Sequence, residues 1–480
     1  MILHKNTLVL LSAIAAMIIM PIGNVNAATE NENDGVVLFH STQSQNYRIP
    51  AIAVTPKGEI IAISDNRYEH GYDLGYKGYI NLEYRRSVDD GATWEDIKTL
   101  ADHNLSDTIK GYGDASIVSD CLTGKLMVMA VTDSLFSKIP GYKHGMYRFY
   151  SNDGGVTWDK GVSMTGSIYK LNPKWKDLFV TSGKIMQSRV VKKGAYYRLY
   201  CAPYIYGYGN DVIYSDDFGL TWQLLGDGAK PCCAEGDEAK VEEMPDGTII
   251  LSARSKSRFF NVYRFNDNSF VAGKWGEYAG GGSFELKDKK DRGRVCNGEI
   301  LRVMAYDKKG KLVNLLLQSV PAGPDRSHVS IYYKLIKDFK DITPESLTEG
   351  WKGYEVTDTT SGYSTMCMQK DGRIAFYYER DQVKKTYSYN MVYEPLDLSV
   401  ITSGEYLWAP PSVTAVSIGG KRANISGDNI TLPGNAKDTN ALKVVTKAAT
   451  GYVFSGLKHR KGILTVFYDA ARKDYKVAIK

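Results

Sequence analysis

The chain has 480 residues, of which 43% are hydrophobic, 24% charged and 11% aromatic. That balance supports a buried core and excludes a disordered protein. Its formal net charge of +6 comes from 60 Lys and Arg against 54 Asp and Glu, spread along the chain without a basic block, which argues against nucleic acid as a partner.

Residues 1–27 read as a signal peptide. Lys5 stands in a short basic start, and the apolar run Leu8 to Met20 follows, ended by Pro21 and Gly23. Val25-Asn26-Ala27 supplies small residues for cleavage. The run is shorter than the roughly 20 residues a spanning helix needs, and no later stretch is long and apolar enough. The expectation is a mature chain without a membrane span, secreted or periplasmic after cleavage near Ala27.

Beyond the leader, 34 Tyr and 46 Gly beside 15 Pro favour many short strands joined by tight turns. The strongest signal is a repeated octapeptide, S-x-D-x-G-x-T-W. It occurs at Ser87 to Trp94, Ser151 to Trp158 and Ser215 to Trp222, with successive copies 64 residues apart. Each copy follows a strand-like run: Leu82 to Arg85, Met146 to Tyr150, and Val212 to Tyr214. The box has the chemistry of a hairpin turn. Asp and Ser side chains bond nearby backbone N–H groups, Gly adopts positive φ, and Thr-Trp restarts a strand with a large apolar anchor. A calcium loop is the competing reading, but one Asp and one Ser supply too few oxygen ligands for a hard cation. Asn266 to Trp275 is a candidate degraded fourth copy.

A long repeat built from short strands indicates a β-propeller. The span Val36 to Val400 holds about six such units, so the predicted fold is all-β, a six-bladed propeller over 36–402. Val36 to His40 is expected to pair with the last blade and join the ends of the ring. Pro410-Pro411 marks a break, and residues 403–480 are expected to form a small β module or an extension packed on the propeller. The six cysteines, Cys121, Cys201, Cys232, Cys233, Cys296 and Cys367, carry no C-x-x-C spacing. Zinc ligation is therefore not expected, and buried free thiols are the main reading.

The three boxes, preceded by Arg48-Ile49-Pro50, resemble the bacterial exo-sialidases (neuraminidases) of the six-bladed propeller class, where the repeats are called Asp boxes. The resemblance covers Val36 to about Val400 and leaves the tail outside. It implies that Arg48, Arg254 (in Ser252-Ala-Arg254-Ser) and Arg326 (in Pro324-Asp-Arg326-Ser) grip a substrate carboxylate. A planar, permanently charged guanidinium suits that task, whereas a single Arg taken alone reads as a solvated surface charge. Glu379 is implied to brace the first arginine. Tyr363, in Ser361-Gly-Tyr363-Ser, is implied as nucleophile and Glu238, in Gly236-Asp-Glu238-Ala, as its base, with Glu243 as runner-up. Asp73, six residues after Arg67, is implied as general acid/base, with Glu69 and His70 as neighbours open to confusion with it. Arg67 and Asp114 are implied to line the pocket, although Asp114 also reads as an ordinary turn residue before a strand.

The function so implied is a secreted retaining exo-α-sialidase acting on sialylated glycans through a sialyl-tyrosine, with no metal or organic cofactor. Two rivals stand beside it. A trans-sialidase, including the intramolecular kind that releases an anhydro sugar, would keep every residue named. A non-catalytic propeller that binds sialoglycans would have no need of Asp73, Tyr363 and Glu238 together.

Overall fold

The computed structural model describes residues 35–68, 71–74, 78–105, 111–132, 143–255, 258–280, 296–434 and 442–480. The expected signal peptide, its cleavage site at Ala27, and Glu69 and His70 lie outside the described residues. Six sheets, antiparallel but for the short strand Gly183–Lys184 that joins the second in parallel, follow one another along the chain. Blade 1 comprises Gln45–Val54, Ile60–Tyr68, Ile80–Ser87 and Lys98–Ala101. Blade 2 comprises Tyr112–Ser119, Leu126–Thr132, Gly145–Ser151 and Val162–Ser163. Blades 3, 4 and 5 begin with Met186–Lys193, Ala239–Glu243 and Ile300–Asp307. Blade 6 comprises Ser361–Met368, Ile374–Val383 and Ser388–Leu396, and its fourth strand is the N-terminal Val36–Phe39, paired antiparallel with Ser388–Leu396. The two ends of the ring are thereby joined, as the sequence predicts.

Packing between blades explains why the middle strands read as continuous apolar runs. In blade 1, Ile61 and Ile63 pack with Leu126, Val128 and Phe149 of blade 2. Their neighbours Ile60 and Ala62 pack with Ala375 and Tyr377 of blade 6. Successive side chains point to opposite faces of a strand, and a sheet between two others buries both faces. Leu126–Thr132 is buried at every position.

The octapeptides are the hairpins between the third and fourth strands of blades 1, 2 and 3. In the second copy, Ser151 Oγ donates to Asp153 Oδ1 (2.8 Å) and accepts from Gly155 N–H (2.9 Å). Thr157 donates its N–H to Asp153 Oδ1 (3.0 Å) and its hydroxyl to Oδ2 (2.6 Å). The other two copies repeat these bonds. In the first copy Gly91 has φ +89°, and a Cβ there would lie 2.5 Å from the Tyr393 ring. The Asn266 to Trp275 segment forms the corresponding hairpin of blade 4, between Arg258–Phe265 and Gly273–Trp275, but without the box hydrogen bonds: Asp267 accepts from Ser269 two residues on.

Inner strands run in a common direction, so their first residues share one end of the ring and their last residues the other. A small cavity at the far end is lined by Val54, Ser119, Gln187 and Met368. The C-terminal residues close this end. Tyr406–Trp408, past the expected propeller boundary at 402 but before Pro410-Pro411, still pairs with Ile300–Asp307 of blade 5. Separate sheets begin at Ser412–Ile418 and have their own core around Val416, Ile430, Leu464, Val466 and Val477. The turn between Lys461–Tyr468 and Ala471–Ile479 docks on the propeller. Tyr468 Oη donates to the Arg302 carbonyl (2.7 Å), and Asp469 takes two bonds from Arg189 (2.7 and 2.8 Å). The six cysteines form no disulfide; five are buried and Cys367 is partly so.

Candidate active site

The opening turns of three inner strands are irregular, and each irregularity carries a candidate residue. Strand pairing skips between Arg48 and Ala51, between Gly113 and Ser116, and between Ser361 and Ser364. Pro50 has no N–H to donate, and Ile49 and Asp114 adopt φ of +62° and +51°. Such bulges re-aim side chains, and here they bring Arg48, Asp114 and Tyr363 to one end of the ring.

Glu379, fully buried, ties two of these strands together. Its Oε1 accepts from Arg48 Nε (2.7 Å) and Ile49 N–H (2.9 Å), and its Oε2 from Tyr363 N–H (2.9 Å). Gly362 is required beside it, because a Cβ there would stand 2.1 Å from Glu379 Oε2. The guanidinium carbons of Arg48, Arg254 and Arg326 lie 5.5, 5.9 and 5.7 Å from the Tyr363 ring centroid. Three cations therefore surround one phenol. Among the described residues no ion pair neutralises Arg326, which lines a cavity of about 480 Å³ with Arg48, Asp73 and Tyr389.

Below the arginines, Tyr363 Oη donates to Glu238 Oε2 at 2.7 Å and accepts from Arg254 Nη1 at 2.9 Å. Arg254 Nη1 also meets Glu238 Oε2 at 2.5 Å. Burial pushes the Tyr363 hydroxyl well above its usual range, Arg254 pulls it down, and Glu238 pushes it up again. Burial also raises Glu238, against the pull of Arg254. The phenol is thus neutral at rest, with a proton acceptor in contact and a guanidinium placed to stabilise a developing phenolate.

At the rim, Arg67 Nη1 donates to Asp73 Oδ1 (2.6 Å) and to the Gly71 carbonyl (3.0 Å). Its Nη2 and Nε meet Asp65 Oδ2 (2.9 and 3.2 Å). Asp65 Oδ1 accepts the Asp114 N–H (3.1 Å). The Asp73 side chain is 46% exposed. Burial alone would raise its carboxyl, but Arg67, Arg48 and Arg326 together lower it. Asp114 moves the other way: burial and then the neighbouring Asp65 raise it far above the carboxylate range. Asp65 is pushed to about 6 by burial, with Arg67 opposing.

All nine residues singled out from the sequence (Arg48, Arg67, Asp73, Asp114, Glu238, Arg254, Arg326, Tyr363 and Glu379) meet at this end. Glu243, the alternative base, does not: it faces away from Tyr363 and accepts from Ser188 Oγ (2.5 Å) and Arg189 N–H (2.6 Å). Two participants carried no assignment. Asp65 had a local signal, standing two residues before Arg67 on the same strand. Tyr389, 5.3 Å beneath the Arg48 guanidinium, had none, because only the folded ring brings it there.

Irregular inner strands, three arginines and a buried Tyr–Glu pair thus share one mouth of an Asp-box propeller. Residues 149–160 and 213–224 match the family model described as BNR/Asp-box repeat. A sialidase of Paraclostridium sordellii is 25% identical over 405 residues, covering 78% of this chain and 94% of that protein. A sialidase of Micromonospora viridifaciens is 31% identical over 227 residues, covering 44% of this chain and only 33% of that longer protein. Among solved structures, a leech intramolecular trans-sialidase shares the fold with a TM-score of 0.58 at 16% identity, over 78% of this chain and 71% of its own. The repeats and the curated relatives support a bacterial sialidase family for this chain.

Proposed function

We propose that the protein is a retaining exo-α-sialidase that hydrolyses terminal sialic acids from glycoconjugates. The observation that carries this reading is the 2.7 Å hydrogen bond from Tyr363 to Glu238 among three arginines. A sialic acid carries a carboxylate on its anomeric carbon. Arg48, Arg254 and Arg326 bind that carboxylate, which positions the anomeric carbon over Tyr363. An anionic nucleophile would meet repulsion there, whereas a neutral phenol relayed through Glu238 does not. This is the tyrosine exception to the two-carboxylate glycosidase scheme.

Asp73 serves as acid and then as base. It rests ionised against Arg67, so it must gain a proton before it can donate one. Substrate supplies the cause: its carboxylate offsets the charge of Arg48 and Arg326, and its bulk covers the half-exposed Asp73. Both effects favour the neutral acid. Asp73 then protonates the leaving oxygen as Tyr363, passing its phenolic proton to Glu238, forms a tyrosyl glycoside at the anomeric carbon. Asp73 afterwards activates the water that releases the sugar, and the phenolate regains its proton from Glu238. Export with cleavage near Ala27 belongs to the same proposal. The test is incubation with a sialyllactose, followed by NMR. Free sialic acid appearing first as the α-anomer is expected. A 2,7-anhydro sugar would reassign the protein to intramolecular transfer, and intact sialyllactose would make it a binder.

A further inference from the structure

Glu299 takes no part in the chemistry above, yet its carboxylate is fully buried. Its Oε2 accepts from Thr365 Oγ1 (3.0 Å) and from Lys184 N–H (3.1 Å), and lies 3.6 Å from Lys240 Nζ. The spacing of these partners is the significant point. Thr365 is two residues past Tyr363 on the first strand of blade 6, and Lys240 is two residues past Glu238 at the start of blade 4. Two residues of strand rise about 7 Å, so Glu299 grips both strands one step below the Tyr–Glu pair.

The packing around this junction is tight. Gly183 threads between the two gripped side chains with φ +104°, and a Cβ there would lie 2.9 Å from Lys240 Nζ and 3.1 Å from Thr365 Oγ1. A second tie reinforces the first. Glu299 N–H donates to Ser319 Oγ (2.9 Å), and that oxygen accepts from Ser364, the residue next to Tyr363 (2.8 Å). Lys240 needs the anion: burial weakens its hold on a proton and Glu299 strengthens it. A buried charge without its partner would have to neutralise or draw in water, and either change would move the strand that carries Glu238.

We propose that Glu299 is a positioning residue that sets the separation of Tyr363 and Glu238 by holding the two strands together through Thr365 and Lys240. This rests on the proposed roles of Tyr363 and Glu238. Proton transfer from the phenol needs a heavy-atom distance of about 2.6–3.2 Å, and misplacement by about 1 Å costs on the order of 10² in rate. Glu299 would thus act on the chemical step and leave the arginine grip alone.

The experiment compares Glu299→Gln and Thr365→Val with wild type. The readouts are steady-state kinetics on a sialoside and the rate of covalent labelling by a difluorinated sialyl fluoride, counted per labelled site by mass spectrometry. Gln keeps the shape and loses the charge, so kcat and labelling rate should fall about 10- to 100-fold with KM nearly unchanged. Thr365→Val keeps both charges and removes one hydrogen bond, so a smaller loss of the same kind is expected; it carries the test if the Gln variant fails to fold. A role confined to stability would lower the labelled fraction while each labelled site reacted at the wild-type rate, and that result overturns the proposal. Wild-type enzyme that carries no label on Tyr363 removes the proposed function and this inference with it. Label on Tyr363 with equal rates in all three proteins removes only the inference.

Discussion

At the scale of single residues, the informative feature is that Asp73 rests in the wrong protonation state for its proposed task. Arg67 touches it at 2.6 Å, and the arginines together outweigh the opposing effect of burial. A carboxylate ligand that offsets those charges should therefore bind together with a proton. Calorimetry with a non-hydrolysable sialic acid analogue, in two buffers of different ionisation enthalpy, should show net proton uptake near neutral pH. Affinity should rise as pH falls, and Asp73→Asn should remove the uptake. The same variant should lose roughly 10²–10⁴ in rate on sialyllactose, whose leaving alkoxide needs an acid. Pre-steady-state phenol release from an aryl sialoside should fall much less; equal losses on both substrates would deny Asp73 the acid role. Arg326 gives a second prediction. No described anion pairs with it, so its planar donors are available to substrate, and Arg326→Lys should raise KM sharply while leaving folding intact. An unchanged KM would return Arg326 to the status of a surface charge.

At the scale of elements, the Asp box was legible in the sequence because its defining bonds are local: those made by its Ser, Asp and Thr side chains all fall within four residues. Asp153 accepts three hydrogen bonds from Ser151 and Thr157, so Asp153→Ala should cost about 1–2 kcal/mol, kept low by exposure, with little effect on kcat. An inactive variant with unchanged melting would give the boxes a chemical role. The pH dependence follows the same bonds. Partial burial works against them, but they hold the Asp153 carboxyl down to about 2, below its unfolded value near 4. Its contribution is present above about pH 4 and is lost as pH falls towards 2, so the stability gap between wild type and Asp153→Ala should close in strong acid. What was not legible is what the ring assembles. Tyr363 is one of 34 tyrosines, and only family resemblance singled it out. Tyr389 and Glu299 acquire their partners from strands remote in sequence, which no local pattern encodes. The Asn266 to Trp275 segment marks the limit of such a pattern, since it forms the equivalent hairpin of blade 4 without the box hydrogen bonds.

At the scale of the molecule, chemistry and closure sit at opposite ends of the same inner strands. Arg48 and Val54 lie on one of them, about 20 Å apart, with Arg48 at the candidate site and Val54 in the far cavity. The C-terminal module meets the propeller at that far end through Tyr468 and Asp469. Arg189 is 4% exposed and shares its donors between Asp469 and Glu242 (2.6 Å). Asp469→Asn keeps the shape of the turn but takes one anion from a buried guanidinium. Breaking a buried pair is costly because the surviving charge remains desolvated, although Glu242 and the 26% exposure of the Asp469 side chain soften the loss to about 3 kcal/mol. The propeller core should report this loss as well as the module, because Arg189 belongs to the first strand of blade 3 and Glu242 to that of blade 4. Thermal unfolding followed by tryptophan fluorescence should shift to lower temperature, as Trp94, Trp175 and Trp222 lie in the propeller. At temperatures where the variant remains folded, kcat and KM should match wild type, because the arginines, Tyr363 and Glu238 keep all their contacts. A lower melting point with unaltered kinetics would mark the module as a closure of the ring. An early transition confined to the module, followed by circular dichroism because residues 412–480 carry no tryptophan, with the tryptophans of the propeller reporting as before, would show that the two parts unfold independently and that the contact through Asp469 contributes little.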